Sequence, residues 1–334
     1  MIQTEALLSR IRTPHKAGKL LVAPSYRAGA FDSHAVDCPF LFAHAGGYGM
    51  TYVGWDGVGY RTGLAFSSDL QTWEKQGLII DRGPRGSISE YNAALTNILR
   101  DNDLFGSAAL RPVGGMYVGT YHAYPNPGYE EGPAVIGLCY SADLHKWELG
   151  PAILRPDPAW PWEAGGLYKS WLVEHAGVYT LFYNAKNQTA GPWREQTGTA
   201  CSTDLVHWER CSANPLLRNG STGAFDDIFA SDPCVLRIDQ TWVMFYFGLC
   251  SDGHARDGCA FSTDLLTWEK ADEILVDIGA PGEIDATHAH KAGLIARDGR
   301  LHHFYCAVAP LPGGRAGEIT HSESRGITCA SAPV

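Results

Sequence analysis

The chain alternates short apolar runs with glycine-rich or polar turns over most of its length. Residues 36–42 and 50–54 are two such runs, and a pair of glycines at 46–47 lies between them. Two apolar runs joined by a short polar turn are typical of a β-hairpin. Similar pairs of runs follow later in the chain, and no long helical period is present. The pattern therefore predicts an all-β protein made of many short strands.

A motif of the form S-x-D-L-x-x-W-E occurs four times, at residues 67–74, 141–148, 202–209 and 262–269. A repeat spaced by about 60 to 75 residues suits one four-stranded blade of a β-propeller. Ser and Asp side chains accept hydrogen bonds from the backbone in turns. We therefore expect each motif to form a turn, with Leu and Trp pointing inward and Glu starting the next strand. Because the motif occurs four times, we expect it to have an architectural role rather than a catalytic one.

The repeats predict a five-bladed β-propeller over residues 31–334 that forms one catalytic domain. Residues 1–30 are an N-terminal extension, with a short helix at 4–12 and a strand at 19–23 that could close the ring. In the fifth blade the turn motif has decayed to residues 322–325. The expected blades are 31–80, 81–152, 153–213, 214–273 and 274–334.

The net charge and the composition of the chain limit which classes of partner and which cellular location we expect. With 36 acidic and 26 basic residues, the net charge of −10 argues against nucleic acid or an anionic membrane as the main partner. The N-terminus lacks a basic segment followed by an apolar core, and no run of apolar residues is long enough to cross a membrane, so we expect a cytoplasmic protein. The nine scattered cysteines contain no C-x-x-C pair and indicate reduced, structural thiols.

The first strand of each blade lines the axis of a propeller, so its first residues face the central funnel. Aligning the blades on their aromatic second strands brings five residues to one such position: Asp37, Ser107, Lys169, Asp232 and Lys291. Charges that share a partly dry funnel are costly unless they are paired or used. This pattern predicts an active site at the funnel, and an ion-paired plug at the ring centre is the structural alternative.

These features together resemble the five-bladed glycoside hydrolase families 32, 43, 62, 68, 117 and 130, and the site pattern is most similar to families 43 and 117. The resemblance covers about residues 31–330 and rests on the Asp that opens blade one, the S-D-P start at 231–233 and the repeated turns. It implies a glycosidase of carbohydrate metabolism that acts on an oligosaccharide. By the family 43 pattern, Asp37 matches the base that activates water. Asp232 matches the Asp that orients the general acid and tunes its pKa.

The general acid does not carry over directly, because family 43 has Glu where this chain has Lys169. One substitute is Glu163, six residues earlier on the loop that leads into the strand. The other is His290 or His288 in blade five, since a blade-five His is thought to be the acid in family 117. Both alternatives stay open at this point.

Cleavage of a glycoside needs one carboxylate that activates water or attacks carbon, and one proton donor. Residues on different blades, facing each other across a funnel, suit the wider separation of an inverting enzyme. We expect an exo-acting enzyme that removes a terminal α-linked or furanose-type sugar. Aromatic, cationic and carboxylate side chains of the funnel and its rim are expected to bind that sugar. They are Lys169, Lys291, His288, Trp55, Arg61, Tyr129, Glu130, Trp193 and Arg256.

Two rival functions remain. A family 130-like phosphorylase would use phosphate instead of water and needs a basic cradle, for which Lys169, Lys291 and Arg61 are the candidates. A non-catalytic sugar-binding propeller would explain the missing Glu. His288, His290 and Asp285 could be read as a metal cluster, but a third ligand is not obvious, so we expect no cofactor, with a structural cation in the central channel as the alternative. The protein is expected to be a monomer or a homodimer.

Overall fold

The computed structural model describes residues 4–187 and 193–334, which form a five-bladed β-propeller. Helix α1 (Thr4–Ile11) and the short strand β1 (His15–Lys16) precede the blades, and two 3₁₀ turns follow later, at Pro161–Glu163 and Pro312–Gly314. No helix of the described chain is long and apolar enough to cross a membrane. All nine cysteines are free thiols, and most of them are buried.

Each of the first four blades is a four-stranded antiparallel sheet whose strands follow one another in chain order. Blade one contains β2 (Ala35–His44), β3 (Gly47–Trp55), β4 (Tyr60–Ser67) and β5 (Glu74–Ile80), and blade two contains β6 (Ala94–Ile98), β7 (Tyr117–Ala123), β8 (Val135–Ser141) and β9 (Glu148–Leu154). Blade three contains β10 (Gly166–His175), β11 (Val178–Lys186), β12 (Glu195–Ser202) and β13 (Glu209–Arg210). Blade four contains β14 (Phe229–Ile238), β15 (Thr241–Leu249), β16 (Ala255–Ser262) and β17 (Glu269–Val276).

Blade five is completed by the N-terminal segment. Its own strands are β18 (His288–Arg297), β19 (Arg300–Pro310) and β22 (Glu323–Pro333), and the small hairpin of β20 (Arg315–Ala316) and β21 (Ile319–Thr320) lies in the loop before β22. Strand β1 pairs antiparallel with β22, so that His15 lies opposite Ser331. Within the predicted strand at 19–23, only Val22 forms a bridge, to Ile327.

The first strands of the five blades surround the axis. Each contacts the first strand of the next blade, in the cyclic order β2, β6, β10, β14, β18 and back to β2. The buried guanidinium of Arg100, just beyond the end of β6, donates to the carbonyls of Leu41 in β2 and Leu294 in β18. Side chains near the starts of these strands therefore converge on one space.

The four repeated motifs form the predicted turn. In the first copy, Ser67 Oγ accepts a hydrogen bond from the Leu70 amide at 2.8 Å, and Asp69 Oδ1 accepts from the amides of Gln71 and Thr72 at 2.8 and 2.7 Å. Leu70 is buried and has φ +62°, a left-handed conformation that the Leu of each other copy shares. The fourth strand of each of these blades begins at the motif's Glu. The prediction of an architectural turn is confirmed.

A β-bulge interrupts the pairing near the start of every first strand. Bulges re-aim a side chain, and in four blades the bulged residue has a positive φ: Cys38 at +51°, Lys169 at +37°, Asp232 at +56° and Lys291 at +70°. Such left-handed conformations are costly for residues with a side chain and are typical of functional sites.

The alignment of blades by sequence was wrong in two places. In blade two the first strand is β6 and its bulge is at Thr96, whereas Ser107 is exposed and bonds to Asp101. A long connection between β6 and β7 carries Ser107, so counting back from the second strand reached the loop. In blade one, Cys38 and not Asp37 is the backbone equivalent of Asp232, because Asp37 precedes the bulge.

The predicted remnant of a turn motif at 322–325 is also wrong. Residues 323–325 are the first residues of β22, the third strand of blade five, whereas the motif turns of the other blades follow their third strands. The corresponding edge of blade five is formed by β1, which comes from the N-terminus.

Candidate active site

A cavity of about 220 Å³ lies at the bulges, and residues from all five blades line it. This volume is somewhat below the roughly 300–1,000 Å³ of drug-sized ligand sites. Its lining combines carboxyl groups, cations and aromatic rings. The charged residues that line the cavity are Asp37, Glu130, Lys169, Glu195, Asp232, Lys291 and Arg325.

Asp37 is held as a carboxylate by two cations. Its Oδ2 is 2.7 Å from Lys291 Nζ and 3.3 Å from Arg325 Nη1, and its Oδ1 accepts the amide hydrogen of Cys38 at 2.8 Å. Burial would raise the pKa of Asp37, but the charges of Lys291 and Arg325 outweigh it and keep the pKa well below its usual value. Asp37 is therefore ionised at any pH at which the protein works.

Glu195 is the opposite case. It begins β12, is almost fully buried, and accepts hydrogen bonds from the Tyr168 hydroxyl, from Ser231 Oγ at 2.7 Å and from Asn184 Nδ2 at 3.0 Å. Burial, reinforced by the negative charge of Glu130, raises the pKa of Glu195 to about 7. A carboxyl group that keeps its proton to near-neutral pH can protonate the oxygen of a leaving group.

Asp232 is connected to Glu195 through one amide. Asn184 Nδ2 lies 3.3 Å from Asp232 Oδ1 and 3.0 Å from Glu195 Oε2, so the two carboxyl groups share a donor. Burial raises the pKa of Asp232 to about 6, although the charges of Lys291 and Lys169 oppose the rise. Asn184 therefore links the two carboxyl groups.

His290 and His288 line the cavity but are poorly suited to donate a proton. Burial and the neighbouring Lys291 hold the pKa of His290 well below its usual value. Burial and the charge of Arg325 lower the pKa of His288 to about 4. Both rings are therefore neutral at pH 7, and neither supplies an imidazolium proton there.

Glu163 lies outside the cavity. Its carboxylate is buried and forms an ion pair of 2.6 Å with Arg210, and it accepts a hydrogen bond from the Tyr183 hydroxyl at 3.0 Å. Its closeness to Lys169 in the sequence does not bring it to the funnel, because from the 3₁₀ turn at Pro161–Glu163 its side chain contacts Tyr183 of β11 and Arg210 of β13. The structure therefore does not bring Glu163 together with Asp37 and Asp232.

The residues predicted to bind sugar divide into two groups. Six of them line the cavity: Lys169, Lys291, His288, Tyr129, Glu130 and Trp193. Trp55 lines a smaller pocket that adjoins the cavity and shares Asp37 and Tyr129 with it. Arg61 and Arg256 lie outside both pockets, where Arg61 pairs with Asp56 and Arg256 pairs with Asp252 and Asp277.

Sequence reasoning missed Glu195, Tyr168, Arg325 and Phe247. Glu195 and Arg325 lie at or near the starts of third strands, where blades one and four have Tyr60 and Ala255. A comparison of these starts would have singled out one acid and one arginine. Among residues 4–187 and 193–334, no group of three or more His, Cys, Asp or Glu side chains is placed to hold a metal ion.

The fold and the paired carboxyl groups with opposite pKa shifts define a propeller glycosidase. Residues 110–281, just over half of the chain, match the family model for the glycosyl hydrolases family 32 N-terminal domain, and the chain belongs to this family. No curated protein matches the sequence.

Solved structures agree with this assignment. A structure described as a glycoside hydrolase is 27% identical, with a TM-score of 0.83 over 100% of this chain and 96% of that chain. A structure of BT0996, described as an RGII complex, is 28% identical, with a TM-score of 0.83 over 99% and 95%. Zg3597, a family 117 glycoside hydrolase of Zobellia galactanivorans, shares the fold at 15% identity, with a TM-score of 0.63 over 93% and 90%.

Proposed function

We propose that the protein is an exo-acting glycosidase in which Glu195 is the proton donor and Asp37 is the carboxylate that activates water for attack on the sugar carbon. The observation that carries the proposal is the contrast within one cavity between an always ionised Asp37 and a Glu195 whose pKa is about 7. Two carboxyl groups with separated pKa values are what hydrolysis of a glycoside requires.

The size of the cavity supports exo action. Its volume of about 220 Å³ accommodates one terminal sugar rather than a polysaccharide chain passing through. Tyr129 and Trp193, which are partly exposed, supply flat faces at the rim on which a second sugar could stack. A terminal α-linked or furanose-type sugar of an oligosaccharide is the substrate we propose.

Two mechanisms use the same residues. Inversion, with Asp37 as the base that activates water, is our prediction, because Asp37 and Glu195 come from different blades and share no hydrogen bond or ion pair in the described part of the chain. One observation favours retention instead. A carboxylate whose pKa is strongly depressed by two cations is a weak base, but it can still attack carbon directly. The anomeric form of the first product, followed by proton NMR, separates the two.

The phosphorylase alternative receives less support from the geometry. Of its three candidate cations, Arg61 lies outside the cavity, paired with Asp56 and Asp81, and Lys291 is bound to Asp37. Only Lys169 remains, and a single ammonium group is a poor cradle for a phosphate.

A substrate screen with and without inorganic phosphate tests the proposal. It uses aryl glycosides and short plant and algal oligosaccharides. RGII-derived oligosaccharides are included because a structure of 28% identity is described as an RGII complex. We expect hydrolysis that needs no phosphate, is lost in Asp37→Asn and is retained in the matched turn variant Asp69→Asn. Turnover only with phosphate would establish the phosphorylase, and sugar binding without turnover would contradict the assignment of catalytic residues.

A further inference from the structure

Among the described residues that line the cavity, one cation has no hydrogen-bond partner for its charged group. Lys169 is only 2% exposed, lines the cavity and projects from a bulge with φ +37°. Its Nζ has no hydrogen-bond partner among residues 4–187 and 193–334. A buried ammonium group without a partner costs several kcal/mol. No carboxylate of the described residues forms an ion pair with this ammonium group.

The other cations of this region are already engaged. Lys291 and Arg325 both contact Asp37. Lys186 donates to the backbone carbonyl of Glu130 at 2.8 Å and lies over the rings of Tyr124, Tyr168 and Trp193. Lys169 thus differs from its neighbours in having its charge available.

The acidic side chains whose charges interact with Lys169 form no ion pair with it among the described residues. Asp232 and Asp257 are close enough for Lys169 to lower their pKa, but neither forms an ion pair with it among the described residues. Asp257 is bound to His303 at 3.1 Å. His122 accepts the backbone N–H of Lys169, and burial, helped by Lys169, keeps this ring neutral by lowering its pKa to about 3.

The charge balance of the cavity points in the same direction. Three cations line it, whereas Asp37 is the one carboxylate of the described lining that is held firmly in its ionised form. Burial raises the pKa of Glu130, Glu195 and Asp232 alike. Protonation of Glu195, with a pKa of about 7, and of Asp232, with a pKa of about 6, therefore shifts the charge of the cavity towards positive as the pH falls, which favours an anionic ligand.

We propose that Lys169 binds the carboxylate of a uronic acid, and that the terminal sugar this site takes is an anionic one. This inference rests on the proposed function, because it names the substrate class of the same cavity. A neutral sugar would present a hydroxymethyl group at the same place, which can accept a hydrogen bond but supplies no negative charge to the ammonium. Inorganic phosphate offers the same anionic oxygen chemistry, so the test includes it as a separate ligand.

Binding of free sugars, measured by calorimetry at pH 6, tests the inference without any need for turnover. Glucuronate and galacturonate are compared with glucose and galactose on the wild-type protein, on Lys169→Gln and on Lys169→Arg. A charge-assisted hydrogen bond in a buried site corresponds to about 10- to 100-fold in affinity. We expect the wild type to prefer a uronate by that factor, Lys169→Gln to lose the preference while still binding the neutral sugar, and Lys169→Arg to retain part of it.

Three outcomes would overturn the inference. Equal affinity of the wild type for a uronate and its neutral counterpart is decisive, and it needs no variant that must fold. Equal weakening of both sugars in Lys169→Gln would make Lys169 only a counter-ion for Asp232 and Asp257. Phosphate that binds through Lys169 and excludes the uronates would make this a phosphate site. Uronate binding without hydrolysis of any glycoside would contradict the proposed function alone, and hydrolysis of neutral glycosides without uronate preference would contradict this inference alone.

Discussion

Aspartates of this protein serve two purposes, and the turns and the funnel separate them. In the four repeated turns, Asp69, Asp143, Asp204 and Asp264 accept backbone hydrogen bonds in the same geometry. They are exposed or nearly so, and hydrogen bonds from their own turn lower their pKa. In the funnel, Asp37 and Asp232 are buried, and their pKa values are shifted in opposite directions.

The comparison shows how a ring of similar blades acquires an active site. Where all copies of the motif keep the same residue, that residue has a structural role common to these blades, which here is to form the turn into the fourth strand. Where copies differ at one backbone position, as Cys38, Thr96, Lys169, Asp232 and Lys291 do at the bulges, the position is free to carry chemistry. Four substitutions test this separation.

Asp37→Asn should have the largest effect. It removes the carboxylate that acts at the sugar carbon, and loss of such a group lowers kcat by at least about 10³-fold. The substitution also leaves Lys291 and Arg325 beside a neutral amide, so the melting temperature should fall as well. Asp69→Asn is the control for the turns and should keep nearly full kcat. Retention of more than a tenth of the activity in a folded Asp37→Asn protein would remove Asp37 from the mechanism.

Glu195→Gln should lower kcat by about 10²- to 10⁴-fold, the range expected for loss of a general acid. The acid works in its protonated form, and its pKa of about 7 is raised from the ordinary value. Wild-type kcat should therefore be full below pH 7 and fall as the pH rises through 7. The variant should lose this decline, and an aryl glycoside with a good leaving group should be less affected than an oligosaccharide. A decline above pH 7 that persists unchanged in Glu195→Gln would assign the proton to another group.

Glu163→Gln should affect stability and leave chemistry alone. The substitution breaks the buried ion pair with Arg210, and removing one partner of such a pair costs about 3 kcal/mol of the free energy of unfolding. Denaturant unfolding measures this loss, and kcat should stay within about twofold of the wild type. A large fall in kcat without a change in stability would restore Glu163 as the proton donor that its sequence position first indicated.

Asp264→Ala should have the smallest effect. It removes the acceptor of the amide hydrogens of Leu266 and Thr267, bonded at 2.8 and 2.7 Å, and the loss of a comparable cap costs about 1 kcal/mol. Asp143→Ala should cost about the same amount, because its hydrogen bonds are the same. Thermal melts of the two variants check this, and an effect of either variant on kcat would contradict the separation of turns and funnel.

The sequence predicted the ring well because the turn is a local structure. Ser, Asp and Leu in S-x-D-L contact one another within three residues, so their spacing alone determines the geometry. Prediction from the sequence failed at Ser107, because an insertion between β6 and β7 displaced the residue count that aligned the blades. It also failed where a strand pairs with a partner that is distant in the chain. Strand β1 at His15–Lys16 is the example, since its pairing is set by β22 and not by its own composition.

Of the residues that line the funnel, the sequence predicted mainly those on the first strands of the blades. Asp37, Asp232, Lys169 and Lys291 were identified because each lies near the start of such a strand. Glu195 was missed because its pKa is raised by burial and by the charge of Glu130, against the hydrogen bonds from Tyr168 and Ser231, and all of these groups come from other parts of the chain. Glu163 was chosen in its place because it is near in sequence, but the chain turns it away.

The contact between Arg325 and Asp37 has a consequence for folding. These two residues are separated by 288 positions, and Lys291 reaches Asp37 across 254. Contacts of such long separation form late, because the loop they close is large. The same closure pairs His15 with Ser331. Asp37 therefore acquires its cations only when the last blade joins the first, and isolated blades, however well folded, lack this arrangement of charges.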